Sequence, residues 1–516
     1  MKDITSSIFT FEDLIQGNFL YVDKTEYIWQ LVRPAKEMYF LSRPRRFGKS
    51  LTLSTLKAVF EGRKELFKGL SIHGKPYDWR PYPIIHLDMN GRDFRTLEAM
   101  EESLRQILQE QAKLNNVTLQ ERTANAMFHE LVMTLHDKGG DVVILLDEYD
   151  KPILNNISKP DCRDFLEALK AFYSVVKEKN AMLRLAFITG VSKFCHVSLF
   201  SDLNNLTDIT MDARFATMLG YTQEEVEANF GDRIAALADG RGVDALKSEI
   251  KEWYNGYRFE ESARTVYNPV SLAQFINSGG KFSNYWFSTG TPTFLLELAK
   301  RRDFDFEKAT REPVPEVSFN AFEIDDIDPL TLLLQTGYVT IKSSERHFGQ
   351  TWYRLDFPNR EVAEAFSTYI LKSYSGSTQT NVVKFTAEFA MSLLNGDLER
   401  LRKLLEAFFA GIPYPVHRKN EATFQAIFFA LFRLLGEFIE AESCTNDGRI
   451  DAVVQTPGAI YLFEFKLDND PTALEQIRER QYFRKYLFDN RAIHLVGVNF
   501  DSTKGNLVGW DDCRLK

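Results

Sequence analysis

Residues 38–51 read MYFLSRPRRFGKSL. Tyr39, Phe40 and Leu41 form the apolar end of a strand and Arg43 to Phe47 a charged turn. Gly48, Lys49 and Ser50 then open a helix that continues as LTLSTLKAVF to about Lys64. Strand, loop and helix in that order make a phosphate-binding P-loop. Its backbone N–H groups and helix N-terminus face the phosphates, a Lys reaches them, and a hydroxyl ligates Mg²⁺. The pattern G-x-x-x-x-G-K-[ST] is broken at its first position, where Arg43 stands in place of Gly.

A lone GKS is weak evidence, and VVILLDE at 142–148 strengthens it, as an apolar strand ending in two carboxylates. In a P-loop NTPase the first of these, Asp147, holds the Mg²⁺ and the second, Glu148, polarises the attacking water. Two further strands, PIIHLDM at 83–89 and LRLAFI at 183–188, are separated by helical patterns over 96–136 and 162–179. Apolar strands alternating with helices imply a parallel sheet covered on both faces, with ligands at the carboxyl ends of the strands. Thr189 lies at such an end, where a polar side chain can sense a γ-phosphate. Arg46, Gly48, Lys49, Ser50, Asp147 and Thr189 are therefore the expected nucleotide contacts. Arg43, Arg45 and Arg46 could serve phosphate, DNA or a neighbouring subunit's nucleotide, which leaves a homo-oligomer open.

At 516 residues the chain exceeds one core, and two or three domains are expected. A net charge of −9 argues against a wholly basic protein that coats DNA. The four cysteines form no C-x-x-C pair and the eight histidines no H-E-x-x-H, so neither a zinc ribbon nor a disulfide framework is expected. The start MKDITSSIFTFEDLI lacks the basic and apolar run of a signal peptide, and no segment approaches 18 uncharged apolar residues. The expectation is a cytoplasmic protein without a membrane partner.

Residues 11–32 read as two short helices around Gly17-Asn18 that shape the pocket for a base. From about 205 the pattern turns helical. WYNGYRF at 253–259 reads as a tight turn between aromatic flanks, its plainest role being packing. LTLLLQTGYVTI at 330–341 followed by TWYRLDF at 351–357 fits a winged helix. The polar run SYSGSTQTNV at 373–382 reads as a linker. The expected domains are thus a P-loop core over 1–205, a helical and winged-helix region over 206–372, and a C-terminal domain over 383–516.

In that last domain, GRIDAVVQTPGAIYLFEFK at 448–466 reads as a hairpin turning at Pro457-Gly458. Paired positions then sum to 915, which sets Asp451 opposite Glu464, and like charges so placed repel unless a cation sits between them. Two carboxylates there suit Mg²⁺ or Mn²⁺. Period two puts Glu464 and Lys466 on one face and Phe463 and Phe465 on the other. Lys466 could then activate water while the metal stabilises charge on a phosphodiester. Upstream, Phe424, Ile427, Phe428, Leu431 and Leu435 make one helical stripe that Glu421 extends by a turn; an acid favoured there by the helix dipole is an equal reading. Residues 473–487 read as a helix carrying Gln476 and four basic side chains.

RPRRFGKSL, LLDEYDKPI, WYNGYRF and GRIDAVV…YLFEFK, in this order, resemble one bacterial family: AAA-ATPase-like proteins with a C-terminal PD-(D/E)XK nuclease-like domain. The resemblance spans essentially the whole chain, and that family also starts its P-loop with Arg. It implies ATP and Mg²⁺ at Lys49, Ser50, Asp147 and Glu148, and a nuclease triad of Asp451, Glu464 and Lys466 with Glu421 as the helix acid. Gln476 matches a frequent Gln, although Arg480 stands where Tyr would follow. The expected activity is an ATP-regulated, metal-dependent nuclease acting on nucleic acid, DNA before RNA; phage defence or mobile-element biology enters by analogy alone. The rival expectations are an ATP-binding signalling switch or scaffold with a non-catalytic nuclease fold, and a plain nuclease with a relic P-loop.

Overall fold

The computed structural model describes residues 2–157, 159–193, 206–287, 293–319, 328–412, 421–436, 440–442, 452–468, 473–501 and 506–516. They fall into two compact units that share the chain unevenly: Met1–Phe294 with Glu312–Glu361, and Leu295–Arg311 with Val362–Lys516. The boundaries differ from those expected, because residues 295–311 join the second unit and that unit resumes at Val362.

The first unit is built on five parallel strands, β1 (Glu37–Ser42), β2 (Ile84–Asp88), β3 (Val142–Asp147), β4 (Leu183–Gly190) and β5 (Leu206–Asp208). Their order is β2-β3-β4-β1-β5. Every residue of β3 and β4 is buried, which explains their unbroken apolar runs: a strand covered on both faces has no side to spare for polar residues. The inner position of β4 sets Thr189 beside both the P-loop strand and Asp147. The P-loop helix α1 (Lys49–Phe60) follows β1 and stops four residues short of the expected end, with Gly62 at φ +75° just beyond it.

Helices at Gln223–Leu237, Val243–Tyr254 and Pro269–Asn277 enclose their own core of Phe230, Ile250, Tyr254, Leu272 and Phe275. Beyond them comes the winged-helix pattern. Helix α2 (Pro329–Thr336) leads into the hairpin of β7 (Thr340–His347) and β8 (Gln350–Asp356), and the short β6 (Val314–Pro315) completes the order β6-β8-β7. Phe348 and Gly349, both at positive φ, make its turn.

The second unit holds a mixed sheet of β9 (Glu440–Glu442), β10 (Ala452–Gln455), β11 (Ala459–Leu467), β12 (Ala492–Asp501) and β13 (Asn506–Arg514) in reverse order. Only β11 and β12 run parallel, as their crossover helix α5 (Ala473–Arg480) requires. The expected helix over 473–487 is shorter, since Gln481 turns left-handed at φ +53° and a 3₁₀ turn follows. That break swings Tyr482 and Tyr486 into the core with Ile460 and Leu462. The expected linker at 373–382 is instead the end of helix α3 (Arg360–Ser375), a turn, and the start of a helix over Gln379–Asn395. Thr378 caps the second helix by accepting the backbone N–H of Asn381, and Gly376 sits at φ +67° just past the first. Among the described residues no helix is long and apolar enough to cross a membrane.

Candidate functional site

The P-loop is a turn that only certain backbone angles allow. Arg46 sits at φ +67° and Gly48 at φ +97°. A Cβ at Gly48 would meet nothing within 4 Å, so glycine is required there for its conformation and not for space. Lys49 follows, 6 % exposed, and its Nζ donates to the carbonyls of Arg43 at 2.9 Å and Pro44 at 3.0 Å. Burial pulls its pKa down, and the carboxylates of Glu148, Asp147 and Asp150 oppose that.

Asp147, 2 % exposed at the end of β3, is the hub. Ser50 Oγ donates to its Oδ2 at 2.5 Å and Thr189 Oγ1 to its Oδ1 at 2.7 Å. The sheet order thus brings Ser50, Asp147 and Thr189, from three separate elements, within one hydrogen-bond shell. Glu148 turns away from β3 at φ +52° and pairs with Lys151 at 3.2 Å. Arg45, Arg46, Gly48, Lys49, Ser50 and Glu148 line a cavity of about 750 Å³, and Ser50 links that lining to the buried Asp147 behind it. Tyr21, Ile28, Leu219 and Tyr221 line it as well. Leu14 and Ile28, from the helices Phe11–Gln16 and Thr25–Val32 before β1, belong to that lining. A hard cation with an oxygen-rich shell and a polyphosphate fit this donor set.

In the second unit the pairing of β10 with β11 runs Ala452↔Phe463 to Gln455↔Ile460, the expected sum of 915. Asp451 itself lies outside the described residues. Glu464 is 2 % exposed, continuing the buried row of Ile460 and Leu462 under α5. Lys466 Nζ stands 3.5 Å from its Oε1, and Gln476 of α5 donates to the same oxygen. Phe463 and Phe465 face the other way, onto helix α4 (Glu421–Leu435), where Phe465 stacks on Phe428 at 3.8 Å between ring centroids. Glu421 opens α4, and its side chain lies outside the described residues. Among the described residues no group of three acids, histidines or cysteines surrounds a metal position.

Residues 6–200 match the model of a family of predicted AAA-ATPases, and residues 419–510 match that of the PD-(D/E)XK nuclease superfamily. An uncharacterized protein encoded in the vnfD 5′ region of Azotobacter chroococcum mcd 1 is 38 % identical over 521 residues, covering 99 % of this chain and 98 % of its own. The chain belongs to the AAA-ATPase-like family with a C-terminal PD-(D/E)XK nuclease-like domain. Among solved structures, the Aeropyrum pernix ORC2 protein aligns over 84 % of this AAA-ATPase-like chain and 86 % of its own, at 11 % identity and TM-score 0.30. Cdc6p from Pyrobaculum aerophilum aligns over 68 % and 89 %, at 14 % identity and TM-score 0.24.

One buried acid beside the P-loop of this AAA-ATPase-like protein escaped the sequence reading. Asp150, fully buried, accepts the N–H of Val191 at 3.1 Å and both the N–H and hydroxyl of Ser192 at 2.8 and 2.6 Å. It ties the segment after Thr189 to the segment after Asp147, and burial pushes its pKa up. The signal was present as the third acid of DEYD, but an acid past a strand end reads as solvated loop. Arg43, the departure from the P-loop pattern, is buried as well. It is 1 % exposed, donates to the carbonyls of Ser42, Thr210 and Phe215, and lies 4.2 Å over the Phe259 ring. Of the three P-loop arginines, Arg43 is a strut beneath the loop, and only Arg45 and Arg46 are exposed along the cavity.

Proposed function

We propose that this protein is a nuclease controlled by ATP, in which the P-loop unit takes up nucleotide with Mg²⁺ and the C-terminal unit cleaves phosphodiester bonds with Mg²⁺ or Mn²⁺. The observation that carries the cleaving half is Glu464, a buried carboxylate with an amine and an amide converging on one of its oxygens. Burying a carboxylate costs stability unless partners offset it, and Glu464-x-Lys466 on a hairpin suits metal-assisted hydrolysis. A bound divalent ion would stabilise charge on the cleaved phosphate. Glu464 would hold that ion together with Asp451, Lys466 would orient the attacking water, and Gln476 would fix the carboxylate's rotamer. In the first unit Ser50 and Asp147 would hold the nucleotide's Mg²⁺, Lys49 would leave its two carbonyls for phosphate oxygens, and Glu148 would orient water. Nucleic acid is the partner in this reading, with DNA preferred.

The test is cleavage of single- and double-stranded DNA and RNA with Mg²⁺ or Mn²⁺, run with ATP, a non-hydrolysable analogue, or neither. Cutting that depends on nucleotide and falls by at least about 100-fold in Lys466→Ala and Glu464→Gln is expected, the scale seen when a preorganised charge is removed. Cutting unaffected by either substitution refutes the site. Nucleotide-dependent assembly without any cutting would instead favour the scaffold.

A further inference from the structure

The WYNGYRF turn and two residues far from it in sequence converge on the P-loop. Phe47, 1 % exposed, meets the rings of Tyr257 and Phe259 edge-on at 4.8 and 5.3 Å. The indole N–H of Trp286 donates to the carbonyl of Arg45, inside the loop, at 2.9 Å. The backbone N–H of the same Trp286 donates to Glu361 Oε1 at 2.6 Å. Glu361 is fully buried, and its other oxygen accepts the Ser271 hydroxyl at 2.7 Å. Ser271 belongs to the first turn of the Pro269–Asn277 helix, where Asn268 caps it and the adjacent Pro269 and Val270 line the nucleotide cavity.

These bonds close a loop. One wall of the cavity is the P-loop and another is the start of the Pro269–Asn277 helix. Glu361 and Trp286 join the two through a continuous chain of hydrogen bonds. We propose that Glu361 and Trp286 are positioning residues for nucleotide binding, a clamp that sets the spacing between those walls and registers the P-loop's state at the Arg45 carbonyl. The inference rests on the nucleotide-binding half of the proposed function. Its logic is the bond inventory of Lys49. Lys49 Nζ donates to the carbonyls of Arg43 and Pro44. Transfer of that amine to a phosphate frees both carbonyls, which neighbour the one that Trp286 holds. A displacement there reaches Glu361 through one residue.

Trp286→Phe keeps the ring and removes the indole N–H. Glu361→Gln keeps an acceptor for the Trp286 N–H, and Glu361→Ala removes it. ATP affinity is measured by calorimetry in the full chain, alongside thermal melting and tryptophan emission. Trp286→Phe is expected to weaken ATP binding about tenfold, the size of one hydrogen bond, with its melting point within a few degrees of wild type. Glu361→Ala should match or exceed that loss, and Glu361→Gln should restore most of it. Wild-type emission should change on adding Mg·ATP, and that change should vanish in Trp286→Phe. Unchanged affinity in Trp286→Phe and Glu361→Ala, with only melting affected, overturns the clamp and leaves the nucleotide reading intact. Wild type that binds ATP no better than Lys49→Ala overturns both.

Discussion

Arg43 stands where the P-loop pattern asks for glycine, and its surroundings account for the exchange. Three carbonyls and the face of Phe259 enclose the guanidinium, so the residue props the loop up from below. Restoring the pattern with Arg43→Gly should therefore damage the protein. Orphaned carbonyls and a lost stack put the cost at about 2–4 kcal/mol, read as a lower melting point with no gain in ATP affinity. Glu361 gives a second prediction at this scale. Burial lifts its pKa from 4.5 to about 7, against the donors from Trp286, Ser271 and Tyr285 that hold it down. The folded chain thus binds a proton that the unfolded chain has released, so this residue's contribution to stability is full below about pH 4.5 and is lost as pH rises through about 7. Tyr257, the titratable side chain facing it, is driven far above its ordinary value by burial and stays neutral throughout. Glu361→Gln removes that slope. The melting point of Glu361→Gln relative to wild type should climb between pH 5 and pH 8, by an amount on the order of 2–3 kcal/mol. A flat difference would show that the carboxylate stays charged.

At the scale of elements, legibility followed how much of the physics was local. β3 and β4 were plain in the sequence because double burial leaves an apolar run, and the β10–β11 pairing followed from a two-residue turn and period two. Helix ends were harder. Nothing local marks Gln481 as the stop of α5; the pull of Tyr482 and Tyr486 towards Ile460 and Leu462 is a tertiary effect. The Ser/Thr-rich run at 373–382 misled for a related reason, since cap residues and linker residues are the same residues. WYNGYRF was legible as a turn but not as a partner of the P-loop, because Phe47 and Tyr257 lie over two hundred residues apart. That turn yields an element-scale prediction. Gly256 sits at φ +115°, and a Cβ there would lie 1.9 Å from the carbonyl oxygen of Pro358. Gly256→Ala should destabilise the first unit by more than about 3 kcal/mol, through backbone strain and overpacking together, measured by denaturant titration. Of the candidate site, Asp147 and Thr189 were readable from strand ends and Ser50 from the helix start after Gly48, whereas Asp150, Trp286 and Glu361 were hidden by contacts that cross long stretches of chain.

For the whole molecule, two units with separate cores imply unfolding that a single transition does not describe. A ligand of the first unit should stabilise that unit alone. Mg·ATP at a hundredfold excess over its Kd is expected to add about 2.7 kcal/mol to one calorimetric transition and leave the other in place. Lys49→Ala should abolish the shift, and chelation of the metal should reduce it. Movement of both transitions together would mean that the units unfold as one.

The interleaved chain has a consequence for synthesis. Phe306, in the stretch Leu295–Arg311, packs on Phe429 at 6.1 Å between ring centroids, and Phe429 lies more than a hundred residues downstream. A ribosome delivers Phe306 long before its partner exists, and it delivers Glu312–Glu361, which complete the first unit, in between. The nascent chain must therefore keep one apolar helix waiting while the first unit is completed. Cutting the gene at residue 361 would strand that helix on the wrong fragment, and co-expression of the two pieces should yield more soluble protein than either half alone.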